Sequence, residues 1–237
     1  MKKLLFFLLG ILIYSSAFSQ YNFRRYSLGL GGGMNEPYSD VKVNQMSPAI
    51  TLNGDFYLTP FIIGGVEAQF GKLRGGGFFT DEHKRQFENS YLTTTLNTRF
   101  ALGELLNYHR KDFFNSIKGL YVGTGFGFIK NQMTVITREK LEPDGSNYIF
   151  PGKDAGINLL IPVTAGINFN FLDAWDETRY ILSAGYQMNV TFGEGMDGYN
   201  DPPSKFKNND SDMYAFATIG IKYCFGRQAV FYRPFRY

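Results

Sequence analysis

Along residues 212–225, D-M-Y-A-F-A-T-I-G-I-K-Y-C-F, apolar and mixed positions alternate strictly. Met213, Ala215, Ala217, Ile219, Ile221, Tyr223 and Phe225 share one face; Asp212, Tyr214, Phe216, Thr218, Gly220, Lys222 and Cys224 share the other. Successive side chains of a strand point to opposite faces, so this is a strand with one apolar and one mixed face. About 9–11 alternating residues are enough to cross a bilayer as a tilted strand. Seven earlier segments repeat the pattern: Arg25–Gly33, Pro48–Leu58, Phe61–Leu73, Ser90–Leu102, Gly119–Lys130, Ile157–Phe171 and Tyr180–Val190. Leu28, Leu52, Val66, Leu96, Phe126 and Leu182 fall on their apolar faces, against Gly29, Asn53, Glu67, Asn97, Gly125 and Ser183, and the sixth segment turns Ile157, Leu159 and Ile161 outward. The expected fold is all-β, an eight-stranded antiparallel transmembrane β-barrel.

The connections alternate as well. Met34–Ser47, Arg74–Asn89, Asn131–Gly156 and Thr191–Ser211 are long and polar, whereas Thr59-Pro60 and the link after the sixth segment are short. Short periplasmic turns and longer extracellular loops are the outer-membrane arrangement. The connection Gly103–Lys118 is the exception. It places Leu106, Phe113 and Ile117 near one helical face, which predicts a short helix at the inner interface.

Lys2 and Lys3, the apolar run Leu4–Tyr14 and the S-S-A-F-S-Q stretch read as a signal peptide over residues 1–19, cleaved between Ser19 and Gln20. Removing it leaves 22 Lys and Arg against 21 Asp and Glu, a net charge near +1, which gives no electrostatic footing for nucleic acid. Mean hydropathy is −0.20, too polar for a helical membrane protein but compatible with a barrel whose apolar positions are interleaved with polar ones. A single cysteine, Cys224, excludes an internal disulfide and a multi-cysteine zinc site. On the mixed face it reads as an inert packing residue.

The A-F-S-Q end of the leader, strands such as G-G-V-E-A-Q-F-G and I-G-I-K-Y-C-F-G, and the richness in glycine and aromatics resemble small outer-membrane β-barrel proteins of Bacteroidetes-type Gram-negative bacteria, the OmpA/OmpX-like or porin-family barrels. The resemblance covers nearly the whole mature chain and implies a location, the cell outer membrane, rather than a chemistry. It also implies outer-membrane lipids, lipopolysaccharide and the barrel-assembly machinery as partners. The chain departs from the pattern where residues 227–237 continue beyond the barrel assigned to 20–226. This basic and aromatic tail has four readings: it lies along the inner interface, folds into the barrel mouth, docks on a periplasmic partner, or is a frayed terminus.

Five charges face inward on neighbouring strands: Arg25, Asp55, Glu67, Arg99 and Lys222. In a narrow barrel they have to pair, either as a structural plug or as a gate. The glycine runs 29–33 and 123–127 lie within strands and precede no helix, so they are not phosphate loops. Glu194, Asp197, Asn200 and Asp201 offer oxygen ligands, but their spacing misses the EF-hand pattern, and no metal or cofactor is expected. His83 and His109 fall at opposite ends of the barrel and cannot share a site, so the chain is not expected to be an enzyme. The leading expectation is a structural or interaction protein acting through its outer loops. A narrow channel for small solutes and a periplasmic lipid-binding barrel are the alternatives.

Overall fold

The computed structural model describes residues 20–232 apart from 40, 42, 78, 80, 82–83, 103–118, 142–145, 176, 194, 201 and 203–211. The leader, the expected helix at 103–118, both histidines and residues 233–237 lie outside the described residues.

Alternation over 11–20 residues yields eight long strands. They are β1 (Gln20–Tyr38), β3 (Ser47–Tyr57), β4 (Ile62–Gly76), β5 (Gln86–Ala101), β6 (Leu120–Ile136), β9 (Ala155–Leu172), β10 (Thr178–Phe192) and β11 (Met213–Tyr232). Each pairs antiparallel with its neighbours, and β1 pairs with both β3 and β11, so the sheet closes on itself and leaves no edge. Three short strands decorate the long-loop end. β2 (Asn44–Gln45) adds to β4, and β7 (Glu139–Leu141) with β8 (Asn147–Ile149) forms a hairpin.

The alternation has the expected sense. Leu28, Phe126, Ile157 and Ile219 are 62–70% exposed on the outer wall, while Thr51, Gln69, Thr95 and Asn189 are buried inside. A continuous apolar exterior of this extent is far beyond what a protein in water tolerates and is the outer belt of a membrane-spanning barrel. Near the short-turn end an aromatic girdle runs across four strands. Phe56 lies 5.4 Å from Tyr26, Tyr26 stacks on Phe225 at 6.0 Å, Phe225 on Tyr223 at 6.3 Å, and Tyr180 lies 5.5 Å from Tyr223. Amphipathic rings collect at membrane–water interfaces.

The last strand is longer than the pattern suggests. Alternation fails at Gly226 because of a β-bulge: Tyr26 pairs with Phe225 but Arg24 with Gln228, so two residues of β11 oppose Arg25. Gly226 adopts φ +92°, which glycine alone reaches without strain. Beyond the bulge the alternation resumes with reversed parity. Ala229 packs inward against the Phe23 cluster, while Val230 is exposed. Residues 227–232 are therefore wall, paired with Gln20–Arg24, and not a separate tail.

Candidate functional site

Four of the five expected interior charges meet inside the barrel. Asp55, Arg99 and Lys222 are 4% exposed and Glu67 7%. Lys222 Nζ lies 2.5 Å from Asp55 Oδ2, and Arg99 Nη1 3.4 Å from Asp55 Oδ1. Arg99 Nη2 donates to Glu67 Oε2 and to Asn53 Oδ1, each at 3.2 Å. Two cations thus face two carboxylates, and the remaining lone pairs are taken up: Ser27 Oγ donates to Asp55 at 3.4 Å and Gln69 Nε2 to Glu67 at 2.6 Å. Charge neutrality with the carboxylates hydrogen-bonded is the condition under which buried ions persist.

Arg25 does not join them. It is exposed and sits opposite the Gly226 bulge, where regular inward–outward pairing is interrupted. Its neighbour Arg24 reaches the turn after β9 instead, 2.9 Å from Glu177. That turn is tied by Asp173, whose Oδ1 accepts the N–H groups of Trp175 and Glu177 at 3.0 and 3.1 Å.

Above and below the ions the bore is filled. Towards the short turns lie Phe23, Tyr57, Ile63, Ile181 and Cys224, all buried; Cys224 is packing. Towards the long loops, Tyr214 donates to Gln69 at 3.0 Å, its ring lies tilted 5.3 Å from that of Tyr91, and Tyr91 Oη accepts from Asn35 at 3.0 Å. A second apolar layer follows, in which Leu73, Phe87, Ile129 and Leu160 from the wall meet Phe150, Met196 and Tyr199 from the loops. On the β6–β10 side the interior residues are small, and Tyr121 fills the space: a Cβ at Gly166 would lie 2.5 Å from its hydroxyl. The gap left beside Tyr121, Thr164 and Ser183 is about 30 Å³, room for a water or two. A soluble lipid-binding barrel needs its apolar face turned inward; here that face lies outward and the polar face inward, which overturns that alternative.

The loop layer is a cap, and the segments that form it have no periodicity, which is why the sequence does not display it; Asp212 and Asn89 fasten it from the ends of strands. Asp212 accepts the N–H groups of Gly195 and Met196 at 3.3 and 3.0 Å, and Asn89 donates to the Met196 carbonyl at 2.8 Å. Asn200 N–H donates to the Pro151 carbonyl at 2.8 Å. The guanidinium of Arg85 lies 6.0 and 5.7 Å from the ring centres of Phe150 and Tyr199. Asp197 accepts the Tyr199 N–H at 3.0 Å and is buried in the cap; Glu194 and Asp201, grouped with it above, lie outside the described residues. Among the described residues no three His, Cys, Asp or Glu gather as a metal site.

Tyr199 fastens three elements. Its hydroxyl lies 2.8 Å from the Thr137 carbonyl and 3.0 Å from that of Gln86, and it accepts the Gln86 N–H at 3.1 Å. Burial pushes the phenol up to about 12, from about 10 in an unfolded chain. The stability this group contributes is therefore complete below about pH 10 and lost as pH rises through about 12. Tyr199→Phe takes this hydroxyl from the Thr137 carbonyl and the Gln86 N–H, while the Gln86 carbonyl keeps the Thr137 N–H, and is expected to cost about 1–3 kcal/mol of cap stability. Tryptic cleavage at Arg85 and Arg138 in the refolded barrel should accelerate roughly five- to hundredfold if that loss is local.

No protein-family model matches the chain, and no curated protein matches it. Solved structures similar to it are small outer-membrane barrels. Neisserial surface protein A is 8% identical, with 84% of this chain and 97% of that one covered and a TM-score of 0.48. Ail, the attachment invasion locus protein of Yersinia pestis, is 14% identical over 85% and 99%, with a TM-score of 0.43. OprG of Pseudomonas aeruginosa is 12% identical over 86% and 98%, with a TM-score of 0.37.

Proposed function

We propose that the protein is a non-conducting, non-enzymatic barrel of the outer membrane, OmpA/OmpX-like in organisation, which serves as a structural or interaction protein through its capped outer surface. The observation that carries this reading is the serial filling of the bore. An apolar layer at the turn end, a neutral ion cluster and an apolar loop cap stand one above another. In this orientation the short turns face the periplasm and the cap faces outward, as the loop lengths favour. Lipopolysaccharide around the belt, the assembly machinery during insertion and a periplasmic partner for residues 233–237 belong to the same reading.

The test is single-channel recording of the refolded chain 20–237 in a planar bilayer. The expected result is a heat-modifiable, folded protein that gives no conductance steps. Steady openings that change when Arg99 and Glu67 are replaced together by glutamine would overturn the plugged barrel in favour of a narrow channel gated by those charges.

A further inference from the structure

We propose that the outer wall formed by β4, β5 and β6 carries a binding site for the phosphate of an outer-leaflet glycolipid, made by Lys72, Arg74 and Lys130. The proposal rests on the outer-membrane orientation argued above and assigns that surface a ligand.

Strand parity puts all three side chains on the lipid side. Lys72 and Arg74 follow Val66, Ala68 and Phe70 along the outward face of β4, and Lys130 follows Phe126 and Phe128 along that of β6. Phe70 pairs with Leu92, Leu92 with Lys130, and Lys72 with Ser90. The cations therefore stand at the first charged level above the apolar belt, two on β4 and one on β6, with β5 between them. Across from them, Met34 pairs with Pro48, and Lys130 pairs with Ile157, so the wall on either side stays apolar at this height. The cations are gathered in one sector at this height, while Glu36 stands one step above Met34 on β1.

Within the sector the positive charge is only partly compensated. Glu88 receives both Lys72 Nζ at 2.6 Å and Arg74 Nε at 2.7 Å. One carboxylate between two cations leaves one positive charge over, and Lys130, exposed, has no ion pair among the described residues. Thr134 is the extra residue of a β-bulge opposite Glu88 and Asn89, and its hydroxyl lies 3.0 Å from the Glu88 carbonyl and 3.2 Å from its carboxylate. This holds the anion to one side, while Ser90 and Gln132, paired with each other, add neutral donors between Lys72 and Lys130.

Anions at a fixed height against a lipid-facing wall are lipid phosphates. Acyl chains below them would lie along Val66, Leu96, Phe128 and Leu159, so one molecule satisfies both levels. Each cation near an anionic lipid surface is worth roughly a fivefold gain in binding.

Native mass spectrometry of the refolded chain in micelles, titrated with bisphosphorylated lipid A, tests the site. The double variant Lys72→Gln, Lys130→Gln is expected to bind it at least about tenfold more weakly. Phosphatase-treated lipid A should bind wild type as weakly as the double variant binds the phosphorylated form. Glu88→Gln, which frees two cations, should bind about fivefold more tightly. Unchanged binding in the double variant, equal binding of both lipid forms, or competition by equimolar inorganic phosphate would overturn the site. Orientation is read separately, by labelling Lys153→Cys on intact cells with an impermeant maleimide. Labelling with no lipid preference overturns the site alone, and absence of labelling on a folded barrel overturns the orientation and the proposal with it.

Discussion

Asp55→Ala is expected to lower the unfolding free energy of the refolded barrel by about 3–5 kcal/mol, the cost of stranding a buried charge without its partner. Asp55 is the hinge of the interior cluster, since it alone bonds both Lys222 and Arg99. Its removal leaves those two cations facing a single carboxylate, Glu67, in a space that admits a water or two. Water cannot solvate the excess charge, because apolar layers close the bore on both sides. Replacing Asp55 and Lys222 together by methionine leaves the Arg99–Glu67 pair neutral, so most of the loss should be recovered. Urea titration with an unchanged slope reads both effects as midpoint shifts. A loss below about 1 kcal/mol for Asp55→Ala, the range of exposed ion pairs, would mean that the cluster is hydrated and the bore open.

What the sequence displays and what it hides follow from one rule. A strand between lipid and a packed interior must alternate, so the eight segments, their outward faces and the meeting of Asp55, Glu67, Arg99 and Lys222 can be read from parity alone. A bulge shifts parity by one residue and breaks that reading. Gly226 hides the last turn of β11 and separates Arg25 from the cluster. The cap is hidden for a different reason. Phe150, Met196 and Tyr199 come from long connections without a period, and their burial depends on contacts between residues over a hundred positions apart, such as Tyr199 with Gln86. The outward cations occupy the opposite case. Lys72, Arg74 and Lys130 break an otherwise apolar face, and that signal is present in the alternation itself.

The wall is as tightly specified as the interior. Gly125→Val is expected to prevent the barrel from closing, a loss above the roughly 4–5 kcal/mol that single substitutions ordinarily reach. Gly123, Gly125 and Gly127 form the inner face of β6 opposite Arg99, Asn97 and Thr95 of β5. A Cβ on Gly125 would run into the Leu96 carbonyl oxygen and stand 2.8 Å from Asn97 Cα. These are backbone atoms of a paired strand, which cannot swing aside as a side chain can. On its other side β6 has little to offset a shift. Its register with β9 runs from Thr124 paired with Val163 to Gly127 paired with Leu160, with no pairing between. There Pro162 has no N–H to donate, and its carbonyl accepts from the Thr124 hydroxyl at 3.0 Å instead. Gly64 on β4 supplies the control, because a Cβ there meets nothing within 4 Å. Gly64→Val should retain the heat-modifiable, fast-migrating folded form in cold electrophoresis, and Gly125→Val should not. Equal recovery of that form in both variants would mean that β5 and β6 do not approach as closely as this wall requires.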